Sequence, residues 1–242
     1  KASSNRAEAL EKNSATANVF NTLDEGSSKT QQWVEKNQNI ILSLVAVIAL
    51  SVIGIYLYSN FVIKPKEQKA FNEMYYYKKK FDEAILINND SLYNLVLNGD
   101  GTNLGMLDMI NEYGGTNAAN LAAYYSGMIY LKMNDYQNSI KYLSEFNSDD
   151  MILGSLATGS IGDAFAELNQ FEDAYEYYVK ASKNNNSYTS PIYLFKAGLI
   201  AMKLEKFKKA EGYFSSIKSD YSKSSEAKNI DAYISKARAS YQ

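Results

Sequence analysis

Residues 37–63 carry no charged side chain, and the stretch IILSLVAVIALSVIGIYLY within them is almost continuously apolar. No other feature limits the chain's fold as severely. A run of this kind either crosses a bilayer or is buried on every side, and in lipid only a helix satisfies its own backbone donors and acceptors. From Ile40 to Ile63 such a helix is roughly 36 Å long at ~1.5 Å per residue, against a hydrocarbon core of ~30 Å. Trp33 before the run, and Tyr56 and Tyr58 toward its end, suit the two interfaces. The apolar core of a signal peptide is ~7–15 residues long, with a basic start and a small-residue cleavage site, and neither length nor flanks fit. The run is therefore expected to be a membrane anchor, with Ile40, Val47, Val52, Ile55 and Ile63 along the span.

The residues before it, 1–36, read as a flexible tail, because Ala, Ser, Asn, Glu and Thr bury too little apolar surface to offset the entropy of ordering. Within that tail, Val19, Phe20 and Leu23 fall on one helical face, as a transient helix or as a docking segment. Gly26 is expected to end it, and Ser28 with Gln31 to form a capping box for the next helix. The chain starts at Lys1 rather than at a methionine, so residues upstream of Lys1 stay an open matter.

The part after the span, residues 64–242, has a periodicity of its own. Gly127, Gly162 and Gly198 are spaced 35 and 36 residues apart. Each is followed at corresponding offsets by Tyr130, Phe165 or Ala201, then Tyr136, Phe171 or Phe207, then Ser139, Ala174 or Ala210, and finally Leu143, Tyr178 or Phe214. The spacing fits helical hairpins: a glycine admits the partner helix, an aromatic fills the space beside it, and a small residue marks the crossing. The short polar turns MND, LNQ and LEK join the two helices of each pair.

This pattern resembles the tetratricopeptide repeat, a helix–turn–helix unit of about 34 residues that stacks into a solenoid. The expected fold is therefore all-α: a single N-terminal transmembrane helix (37–63), leading helices with a degenerate repeat (64–118), and three repeats with a C-terminal capping helix (119–242). The leading helix should begin after Pro65, with Phe81 and Ala84 echoing half a repeat. The last should start near Ser225, with Ile230, Tyr233, Ile234 and Ala237 on one face.

In such arrays the first helix of each pair lines a concave groove. By register the groove-facing residues are Leu121, Tyr124, Met128, Leu131 and Lys132, then Asp163 and Glu167, then Ile192, Phe195, Leu199 and Met202. Two apolar patches flank an acidic middle, which suits an apolar peptide with one basic group, or a neighbouring helix of the same chain.

The remaining signals point away from chemistry. With 0 Cys and 0 His, thiol nucleophiles, imidazole acid–base catalysis and the usual zinc sites are excluded. The carboxylates, lysines and tyrosines form no motif that would pair them, so neither enzyme activity nor a metal or cofactor is expected. NGDGTNLG, residues 98–105, lacks the pattern of a phosphate loop, and as a calcium loop it would have Asn103 in place of the sixth-position glycine and Met109 in place of the twelfth-position glutamate. It reads as a connection capped by Thr102 or Asn103. MYYYKKKF, residues 74–81, reads as a packed helix with its lysines in water, or else as a membrane-surface patch. A net charge of −2 with dispersed lysines argues against nucleic acid.

Taken together, VFNTLDEGSSKTQQWVEKNQ, LNGDGTNLGMLDMINEYGG and GSIGDAFAELNQFEDAYEYY carry a resemblance to the YfgM-like ancillary subunits of the bacterial SecYEG translocon, which are membrane-anchored tetratricopeptide proteins. That resemblance implies an inner-membrane protein with a cytoplasmic N-terminus and periplasmic repeats. Its implied partners are the SecYEG subunits, periplasmic folding factors and exported polypeptides. The charges point the other way: Lys29 and Lys36 precede the span, while Lys64, Lys66 and Lys69 follow it. The positive-inside rule then puts the repeats in the cytoplasm, although long segments translocate largely regardless of charge.

Overall fold

A computed structural model describes the backbone from Ala15 and side chains from Trp33 onward. The chain divides into two units, Lys1–Val62 and Ile63–Gln242. Every regular element among the described residues is a helix, with one isolated bridge between Gly99 and Leu104 in place of any strand.

The first unit is dominated by α1, Ala15–Tyr58. Its backbone passes through Gly26 without a break, so the stop expected there does not occur, and the expected tail is helical from Ala15. One glycine costs a helix only about 1 kcal/mol relative to alanine, less than a long helix recovers from its remaining turns. The expected face of Val19, Phe20 and Leu23, the Ser28–Gln31 box and residues 1–14 lie outside what is described. Trp33–Ile87 contains a window of mean hydropathy 2.8, none of it buried, which is long and apolar enough to cross a membrane. Ile40, Val47, Val52 and Ile55 are all exposed, and Ile63 is half-buried. A π-helical turn, Ser59–Ile63, follows α1.

The second unit opens with α2, Lys64–Ile87, with Pro65 in its first turn directly after the π-helical turn. Then come α3 (Asp90–Asn98), α4 (Met106–Glu112), α5 (Asn117–Lys132), α6 (Tyr136–Glu145), α7 (Met151–Glu167), α8 (Phe171–Ser182), α9 (Ser190–Lys203), α10 (Phe207–Asp220) and α11 (Ile230–Ala239). Consecutive helices pack together from α4 to α11, and α5–α6, α7–α8 and α9–α10 are the three hairpins foreseen from the glycine spacing.

The three turns are built alike. Asp135, Gln170 and Lys206 donate their backbone N–H to Tyr130, Phe165 and Ala201, while Asn134, Asn169 and Glu205 donate to Leu131, Ala166 and Met202. This is the Schellman arrangement, which needs a left-handed residue after the helix, and φ is +61° at Asn134, +59° at Asn169 and +56° at Glu205. Each hairpin then closes on its glycine: Gly127 lies against Leu143, Gly162 against Tyr178 and Gly198 against Phe214, with no room for a Cβ. Ser139, Ala174 and Ala210 are fully buried at the matching crossing points. Tyr130 stacks on Tyr142 at 5.5 Å and Phe165 meets Tyr177 at 5.3 Å.

The leading helices join the first hairpin through one apolar cluster that includes Met74, Tyr77, Tyr93, Met109, Ile129 and Leu143. Each such side chain contributes about 1.5–3 kcal/mol by burial. Glu67 of α2 ties them further: its carboxylate accepts the N–H groups of Asn117 (2.7 Å) and Ala118 (3.0 Å) at the start of α5, where Thr116 also caps Ala119. In MYYYKKKF, Met74 and Tyr77 are buried, Phe81 meets Tyr125 at 4.6 Å, and Lys78 and Lys80 pair with Asp82 and Glu83 in water, while Tyr75 and Tyr76 stay exposed. In the 98–105 loop the organising group is Asp100 rather than Thr102 or Asn103, its Oδ1 accepting from both of their N–H groups. The last helix starts at Ile230, not near Ser225, because Ser224 accepts the N–H of Ala227 and holds a turn there.

Candidate functional site

The three hairpins share a polar trough of about 490 Å³. Leu131 and Lys132 reach it from the end of α5, Asn134 and Tyr136 from the turn into α6, Asp163, Ala166 and Glu167 from α7, Tyr178 from α8, and Lys196 from α9. No single hairpin could build it, since residues of all three meet there.

Asp163 is its centre. Oδ1 accepts from the Tyr178 hydroxyl at 2.7 Å and from Lys196 Nζ at 2.6 Å, and Oδ2 lies 2.9 Å from the same ammonium. The Lys196 ammonium also stands 5.6 Å from the Tyr178 ring centre and 5.7 Å from that of Tyr193, two rings stacked 6.3 Å apart. Lysine thus occupies a small cage of two aromatic faces and a carboxylate. Burial, and after it the Asp163 charge, push both phenols above their ordinary value, so Tyr178 stays protonated and remains a donor to Asp163. The side chains of Lys196 and Asp163 keep 36% and 30% of their exposure. A pair this open to water adds no more than about 1 kcal/mol, so its consequence is where it holds the charges. At the rim, burial and then the Glu167 carboxylate push the Tyr136 phenol upward.

Of the residues expected on the groove, Leu131, Lys132, Asp163 and Glu167 are brought together here. Leu121 and Met128 pack instead against the first apolar cluster. Tyr124 is a correction: it is buried against Phe146 (5.1 Å) and Tyr125, because α6 ends in a connection that folds back over it. Ile192 packs beside Tyr193, whereas Phe195 and Met202 join the cluster of α10 and α11. Phe195 lies 4.9 Å from the ring of Tyr233, so the chain's own last helix covers that patch. Leu199 remains 40% exposed.

Tyr136, Tyr178, Tyr193 and Lys196 were not among the groove residues read from the sequence. Lys196 sits one turn from Ile192 and less than a turn from Leu199, so the same helical stripe contains it, and only its charge set it apart from an apolar reading. Tyr178 was visible as a position of the repeated pattern, but the reach of its hydroxyl to Asp163 depends on a rotamer. Among the described residues no cluster of carboxylates is arranged to hold a metal ion.

No protein-family model matches this chain, and no curated protein matches it. The geometry of the trough therefore carries the functional reading.

Proposed function

We propose that this protein is a membrane-anchored tetratricopeptide adaptor associated with the Sec protein translocon, holding partner proteins or emerging exported chains beside the bilayer. α1 is the anchor of a single-pass inner-membrane protein, the hairpins α5–α10 are its repeat array, and the repeats face the periplasm. The observation that carries this reading is the trough shared by three successive hairpins: an open channel lined by paired charges and aromatic faces suits an extended polypeptide better than a small molecule, which asks for enclosure. The role is that of a binding protein, without catalysis.

Purification of the full chain from its native membrane in mild detergent, followed by mass spectrometry, tests the association. Homologues of SecY, SecE or SecG should co-purify, and their absence overturns it.

A second reading makes the chain a scaffold of a different inner-membrane complex with its repeats in the cytoplasm. Lys64, Lys66 and Lys69 after the span favour it. Protease added to intact spheroplasts separates the two, since only periplasmic repeats are digested.

A further inference from the structure

We propose that the cage of Asp163, Tyr178 and Tyr193 is the seat for an arginine or lysine side chain of the bound polypeptide, and that Lys196 holds the seat until the ligand displaces it. The inference rests on the polypeptide-holding reading and names what that trough selects.

Three observations lead to it. First, the seat is already shaped for a cation, with two stacked phenol rings beside a carboxylate that has both oxygens directed at one ammonium. Cations held over aromatic faces are stabilised wherever water is partly excluded. Second, the occupant is removable. Lys196 lines the open trough, keeps about a third of its exposure and stands on a flexible stem, so its ammonium can swing into water without unpacking the helices. Third, exchange strands no charge. An incoming guanidinium takes over the Asp163 carboxylate as the ammonium leaves, and Tyr178 keeps its hydrogen bond to Oδ1 throughout.

Around the seat, Glu167 stands one turn beyond Asp163 and exposed at the rim, where it attracts the same cation, while Lys132 on the facing helix disfavours a second one. Leu131 and Ala166 offer apolar contact to neighbouring ligand residues. Arginine fits better than lysine, because its planar fork matches both oxygens of Asp163 and stacks on the tyrosine rings.

The test uses the full chain in detergent and a fluorescent peptide of leucines and serines with one central arginine. Identical peptides carrying citrulline or glutamate in its place serve as controls. The arginine peptide should bind about tenfold tighter than either. Lys196→Met, which removes the competitor, should tighten the arginine peptide several-fold, and Asp163→Asn should abolish the discrimination between arginine and citrulline. Should Asp163→Asn fail to fold, Glu167→Gln at the exposed rim should weaken the arginine peptide about threefold and leave the citrulline peptide unchanged. Equal binding of arginine and citrulline peptides overturns the cation seat while the polypeptide trough survives. An affinity that falls or stays the same in Lys196→Met also overturns it. Binding of none of the peptides overturns both readings together.

Discussion

Tyr193 of α9 lies directly across Gly159 of α7, so close that a Cβ on the glycine would overlap the phenol ring. This contact joins one hairpin to the next, whereas Gly127, Gly162 and Gly198 each close a hairpin on itself. Gly159→Ala should therefore loosen the stack between the second and third hairpins. Overpacking of this depth costs about 3 kcal/mol, and the helix propensity of alanine returns about 1. A net loss of about 2 kcal/mol should lower Tm by ~4–8 °C in a chain of this size. The same substitution in a Tyr193→Ala background should be neutral or stabilising, since the ring it meets is gone.

Ser139 occupies the crossing position that Ala174 and Ala210 fill in the other hairpins, and all three are fully buried. Its hydroxyl has no hydrogen-bond partner. An unsatisfied buried hydroxyl costs about 1–3 kcal/mol, and alanine is the better helix former. Ser139→Ala should stabilise by about 1 kcal/mol, read as a higher denaturant midpoint at unchanged slope. A lower midpoint would mean that the hydroxyl has a partner in solution.

Glu205 breaks the equivalence of the turns in a similar way. Its φ of +56° matches +61° at Asn134 and +59° at Asn169, yet glutamate lacks the short amide that makes the left-handed region tolerable for asparagine. The residue is exposed, so little else changes with it. Glu205→Asn should raise stability by about 0.5–1 kcal/mol, and Glu205→Gly by a similar amount, measured by thermal melting of the two variants beside the parent.

These relationships divide into those legible in the chain and those that are not. The glycines at 127, 162 and 198 could be found because a helix crossing with no room for a Cβ admits one residue type, and the repeat shows it three times. The long apolar helix could be found because residues 37–63 carry no charged side chain at all. Gly159 has no counterpart in the other hairpins, so its contact with Tyr193 is a matter of how two hairpins meet and which rotamer the tyrosine takes. The continuity of α1 through Gly26 and the late start of α11 are contests between local signals separated by about 1 kcal/mol, which composition does not decide. The trough was half visible: Asp163 and Glu167 follow from helical register, while Tyr178 reaches them from the partner helix of the same hairpin and Lys196 from the next hairpin.

Asp100 should make the stability of the protein depend on acid in a narrow window. Its Oδ1 accepts the N–H groups of Thr102 at 2.9 Å and Asn103 at 2.7 Å, and Oδ2 accepts the Asn103 side-chain amide at 3.0 Å. These bonds, those from Asn103 first, hold the carboxyl at about 2, below its ordinary value of 3.8. Because the folded value is the lower one, the unfolded chain binds more protons between the two, and the contribution of Asp100 is complete above pH ~4 and lost as pH falls toward 2. Other carboxylates titrate in the same range, so the comparison must be with Asp100→Asn, whose amide oxygen can still accept both backbone donors but does not titrate. Melting temperatures measured from pH 5 down to pH 2 should fall more steeply for the parent than for the variant, with the curves converging at the acid end. Parallel curves would show that the loop around Asp100 opens before its carboxyl takes up a proton, and that the hydrogen bond from Tyr77 to the Asn103 carbonyl, rather than the carboxylate, holds the α3–α4 connection in place.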